Sequence, residues 1–150
     1  MRGLLFLLVL SLSLSSRAQI NIDSLGTVSL NTDASPKSRI KAAKELANKE
    51  GYMYTKPDSA LYFANLALDI ASQENLQYEM ATIMNIMAMD YTVIGKYDEE
   101  LTLFDRATTI FIEIGETSKL CGLYNNIGTI NLYRGNYENA LSYYNKSLQY

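Results

Sequence analysis

The sequence predicts an all-α fold, a solenoid of antiparallel helix pairs in about three repeats with a 40-residue period. Sliding the chain against itself by 40 residues superposes Gly95 on Gly135, Tyr97 on Tyr137, Asp98 on Glu138 and Leu101 on Leu141, and self-similarity at such a period marks repeat architectures. Apolar residues recur at three and four, as in Ala60, Leu61, Ala64, Ala67, Leu68 and Ala71, which places them on one helix face. Only two prolines interrupt 150 residues, and a 48% hydrophobic content is enough for a packed core.

Residues 1–18 have the three parts of a secretory signal: a basic start at Arg2, the apolar run Gly3–Leu14, and small residues Ser16 and Ala18 ahead of a cut before Gln19. The run is too short for a transmembrane anchor, which needs ~20 residues. No cysteine lies near the cut, so a lipid anchor is disfavoured. Residues 19–35 are expected to be a flexible linker and 36–150 the repeat domain, with repeats near 41–74, 81–114 and 121–150. The last repeat is incomplete at Tyr150, so the chain is expected to continue beyond it.

In the first copy Ser35-Pro36 pairs a capping hydroxyl with proline at the first helical position. That helix is expected to run to about Lys49, and Pro57 starts the second. The second copy has helices near 76–94 and 97–114 around Gly95. The third has them near 117–134 and 137–150 around Gly135, with Thr117 as a cap. Gly95 and Gly135 suit a left-handed residue closing a helix, where a side chain is penalised. Gly128 and Ala140 allow the third pair to approach closely, with Tyr137, Leu141 and Tyr144 expected to fill the space beside them. Lone Cys121 is expected to be a small buried apolar residue. The stripe Met80, Met84, Met87 and Met89 has the spacing of a core face rather than of a soft-metal or heme site. Asp98-Glu99-Glu100 is expected to be a solvated first turn favoured by the helix dipole. Asn145-Lys146-Ser147 matches a glycosylation triplet but falls within a helical pattern.

The third copy, NNIGTINLYRGNYENALSYYNKSL, resembles a tetratricopeptide repeat. Tyr124, Ile127-Gly128, Gly135, Tyr137, Ala140, Tyr144 and Ser147 fall at the family's motif spacings, while Asn131 stands where Tyr is usual. The second copy fits through Met84, Met87-Ala88, Tyr91, Gly95, Tyr97, Phe104 and Ala107, but Glu100 replaces the close-packing alanine. For the pair to stay tight, Glu100 would have to turn to solvent with its stem on apolar surface. The first copy fits only in its second helix, through Ala60, Ala67 and Tyr62-Phe63. A 40-residue period against the usual ~34 implies longer helices and extra residues around Phe111–Thr117. PDSALYFANLALDIA resembles the exported tetratricopeptide sensory regions of bacterial, Bacteroidetes-like signalling regulators.

The resemblance implies a concave groove lined by the first helix of each pair. Its expected positions are Thr82, Asn85, Met89, Thr92 and Val93 in the second copy and Gly122, Asn125, Thr129, Leu132 and Tyr133 in the third. Glu45, Lys49, Tyr52 and Met53 come from the first. Asn85, Asn125 and Asn126 carry amides that either hold a peptide backbone by paired contacts or bridge neighbouring helices. The terminal-carboxylate clamp of chaperone-binding members is absent, since its positions read Glu45, Asn85, Asn125 and Lys49, Met89, Thr129. The candidate peptide-binding residues are therefore Asn85, Met89, Asn125, Asn126, Thr129 and Tyr133.

There is no histidine, which removes Ser-His-Asp and Cys-His nucleophiles and His-ligated zinc within this span. No catalytic, metal or cofactor residue is expected. Cutting residues 1–18 removes Arg2 and Arg17 and no acid, taking the net charge from −3 to −5, without the basic footprint of a nucleic-acid binder. The function expected is an exported, periplasmic or extracytoplasmic, non-catalytic scaffold for a protein or peptide partner. The alternative is the sensory input region of a larger membrane-bound signalling protein, a histidine kinase or DNA-binding regulator, whose anchor and output lie beyond residue 150.

Overall fold

The computed structural model describes residues 23–48 and 56–150. The signal-like residues 1–18, and Lys49, Tyr52 and Met53, lie outside the described residues. Helix α1 spans 23–30, followed by α2 (Pro36–Ala47), α3 (Pro57–Gln73), α4 (Gln77–Val93), α5 (Tyr97–Glu113), α6 (Ser118–Tyr133) and α7 (Tyr137–Ser147). No strand occurs among the described residues. The molecule is an all-α helical solenoid in which α2 packs on α3, α4 on α5 and α6 on α7. The second helix of one pair meets the first of the next: α3 broadly against α4, α5 more sparingly against α6.

Local chemistry sets the boundaries. The Ser35 hydroxyl accepts from the Ser38 amide at 3.3 Å, and Pro36 opens α2. Four links between consecutive helices then repeat one device every 20 residues: Asn75, Gly95, Gly115 and Gly135 take positive φ of 52°, 76°, 75° and 76°. After each, the next amide donates to a carbonyl five residues back: Leu76 to Ala71, Lys96 to Tyr91, Glu116 to Phe111 and Asn136 to Asn131, at 2.8–2.9 Å. This satisfies the carbonyls that a helix end leaves free. Because the turns are alike, the additional length of the 40-residue unit lies in helices of 17, 17, 17 and 16 residues. Phe111–Glu113 complete α5 and are not part of an inserted loop.

The small residues Ala60, Ala64, Ala67 and Ala71 line the buried face of α3 and permit close approach. Met84, Met87, Phe104, Phe111, Leu120 and Ile127 form the continuous core beyond it. Met84 and Met87 are buried, and Met80 and Met89 pack partly buried against the same core, as a helix-face stripe requires.

Several expectations need correction. The stretch expected to be a flexible linker is helical at 23–30, where fully buried Ser29 seats α1 and its carbonyl accepts from Arg39 Nε at 3.2 Å. A small polar residue at the contact leaves little hydrophobic periodicity to notice. Thr117 precedes α6 but makes no side-chain cap. Cys121 is exposed, with its Sγ 3.5 Å from Ser147 Oγ, because the inward stripe of α6 runs through Leu120, Leu123 and Ile127. Tyr137 and Leu141 are also exposed; Tyr144 alone of the three lies against Gly128. Glu100 is fully buried, while Asp98 and Glu99 remain exposed as a first-turn acid pair. Its carboxylate ion-pairs with Arg134 at the end of α6.

Candidate peptide-binding groove

The first helices of the first two pairs, α2 and α4, wall an open groove of about 1100 Å³. Ile40, Lys41, Lys44 and Glu45 face it from α2, at the three- and four-residue spacing of one helix face. Tyr78, Thr82, Asn85 and Ile86 do the same from α4, and Leu25 of α1 and Leu76 of the α3–α4 turn contribute apolar surface. Lys44 Nζ meets Glu79 Oε2 at 2.6 Å across the two walls. Both side chains are partly exposed, so the pair adds at most about 1 kcal/mol while tying α2 to α4. Tyr78 is held from two sides, edge-on to Phe111 with centroids 6.0 Å apart and under Lys119 Nζ at 5.7 Å. A half-exposed ring fixed in this way is a ready contact surface, because little side-chain freedom remains to be lost on binding.

Glu45, Thr82 and Asn85 line the groove. Asn85 Oδ1 accepts from Asn126 Nδ2 at 3.1 Å, so these two amides are brought together and bridge α4 to α6. The other candidates do not line this groove. Met89 packs against the core. Thr129 turns towards α7, donating to the Asn125 carbonyl at 2.9 Å and accepting from the Tyr144 hydroxyl at 3.2 Å. Asn125 is exposed, and Tyr133 stands 84% exposed near the end of α6. Of the six, Asn85 lines the groove and Asn126 is bonded to it, while the other four are not among the residues that line it. Among the groove residues that sequence reasoning missed are Lys37, Lys41, Lys44, Tyr78 and Glu79; the sequence signal for the lysines was their four-and-three spacing on α2.

Two buried carboxyls lie outside the groove. Asp90 of α4 is shut from solvent with neither oxygen hydrogen-bonded, and burial pushes its pKa up to about 7. Burial also raises Glu100, opposed by the Arg134 guanidinium that pairs with its carboxylate. Arg134 in turn lies over the Tyr97 ring at 4.0 Å. Among the described residues no group of three or more His, Cys, Asp or Glu is placed to hold a metal, and no helix is long and apolar enough to cross a membrane. Apolar floor, fixed ring, amides and lysines together supply contacts for binding.

Paired helices, a common left-handed turn and Gly128 pressed against Tyr144 together define the repeat. Residues 79–150 match the tetratricopeptide repeat family model. The match begins in the first turn of α4 and covers both later pairs. The helix pair α2–α3 precedes the matched span, and α3 passes into α4 through the same turn geometry at Asn75. No curated protein and no solved structure matches the chain. Tetratricopeptide repeats generally bind protein partners, and the match over residues 79–150 supports an interaction role of that general kind.

Proposed function

We propose that the protein is an interaction scaffold that holds a peptide segment of its partner in the groove between α2 and α4. The observation that carries this reading is the groove itself, walled by first helices and furnished with a positioned Tyr78 over an apolar floor. A photo-crosslinking side chain placed at Thr82 in the groove should trap a discrete protein partner in the producing cell. The same group at Asp105, exposed on α5, should not. Trapping from Asp105 and none from Thr82 would move the binding face to the opposite surface.

The basic start, apolar run and small residues of Met1–Ala18 support action outside the cytoplasm. Terminal sequencing of the cell-produced protein should begin at Gln19; a chain retaining Met1 contradicts export by cleavage. The resemblance of PDSALYFANLALDIA to exported sensory regions supports a narrower role, as the input end of a membrane-bound regulator whose anchor and output follow Tyr150. An apolar segment of ~20 residues in the codons after 150 is the expected sign, and a stop codon there contradicts it.

A further inference from the structure

We propose that the α2–α4 groove selects an acidic peptide segment, seating apolar side chains on Leu25, Leu76 and Ile86 and carboxylates on Lys37 and Lys41. This rests on the groove being the binding face. Lys37 and Lys41 are both exposed and line the groove, about 6 Å apart along α2. Neither enters an ion pair among the described residues, whereas Lys44 is paired with Glu79. Glu45 is then the one groove carboxylate without a cationic partner among the described residues, and it faces a surplus of lysines.

Helix electrostatics point the same way. The first turns of α3, α4, α5 and α7 carry acids, Asp58, Glu79, Asp98 and Glu138 among them, while those of α2 and α6 carry none. In those two helices the second residue is a lysine, Lys37 or Lys119, at the end where the dipole disfavours a cation. Lys119 lies over Tyr78 of the groove wall, so both misplaced cations sit beside the same groove. The chain carries a net −3, and this face runs against that trend. Positive charge held at a local cost beside apolar surface is complementary to a segment that mixes carboxylates with large apolar side chains.

The test is fluorescence anisotropy with the intact protein and a fluorescein-labelled peptide alternating Glu, Leu, Asp and Phe. Two counterparts have Lys in place of the acids, or Ser in place of Leu and Phe. The acidic apolar peptide should bind with a salt-sensitive affinity and the counterparts much more weakly. Lys37→Glu/Lys41→Glu should weaken binding on the order of tenfold or more with no fall in melting temperature, since both positions are exposed and an acid at position 37 suits the helix dipole. Arg106→Glu, the same charge change at an exposed site on α5, should leave binding intact. Equal binding of the Lys counterpart overturns the acidic preference while leaving a groove crosslink from Thr82 standing. Equal loss in Arg106→Glu, or no binding of any peptide, overturns the proposal.

Discussion

At Gly128, an added Cβ would lie 2.8 Å from the Tyr144 Cδ1 and Cε1 atoms, closer than packed carbons tolerate. Gly128→Leu should therefore lower stability by about 1–3 kcal/mol or more, read as a fall in melting temperature. Gly128→Ala provides a sharper check because alanine favours a helix over glycine by about 1 kcal/mol. In a Tyr144→Ala background the ring is gone, and Gly128→Ala should become stabilising. If it destabilises both backgrounds equally, the ring is not the obstacle. Asp90 makes a second prediction at this scale. Its folded pKa, about 7, lies above the ordinary 3.8, so the folded state holds the proton more tightly. The stability it supports is present at low pH and is lost as pH rises from about 4 to about 7. Glu100 is shifted in the same direction. The melting temperature should fall between about pH 4 and about pH 7, and should fall less in Asp90→Asn; an equal fall in the variant contradicts this assignment.

Between elements, the sparing α5–α6 contact is bridged by Glu100 and Arg134, with the guanidinium stacked on Tyr97. Glu100 stands where the motif has alanine, and its buried carboxylate reaches from α5 to the end of α6, so charge joins two helices that pack sparingly. Arg134→Met leaves the buried Glu100 charge uncompensated and should cost about 3–5 kcal/mol. Glu100→Ala/Arg134→Met removes both charges and should recover most of that loss in a denaturant titration. A double variant as unstable as Arg134→Met alone would show that the ion pair is not what holds α5 to α6. The helices were legible in the sequence because their punctuation is local: Ser35-Pro36, Pro57, Gly95 and Gly135 act on their own backbone. Gly115 and Asn75 belong to the same series and become visible once turns are sought every 20 residues rather than every 40. Contacts between distant positions were not legible. Asn85 with Asn126, Thr129 with Tyr144 and Glu100 with Arg134 are 41, 15 and 34 residues apart, and stacking alone determines which side chains meet. The same limit explains why the lysine wall of the groove was not legible beside Thr82 and Asn85.

Across the whole molecule, a solenoid contacts its neighbours repeat by repeat and leaves one extended face for ligands. Here the described groove lies between the first two pairs, ahead of much of the span that matches the family model. Of the motif positions on the first helices, Glu45, Thr82 and Asn85 line the groove, whereas the weakly matching first pair supplies the lysine wall. Helix periodicity shows which residues share a face, but it does not show that Lys37, Tyr78 and Lys119 converge. The measurement that tests the account most directly is amide chemical-shift mapping of the isotope-labelled protein titrated with the acidic apolar peptide. The groove account predicts saturable shifts centred on Lys41, Tyr78, Thr82 and Asn85, with α5 and α7 largely unmoved. Shifts confined to the outer faces of α5 and α7, or to Tyr133 and its exposed neighbours, would contradict it.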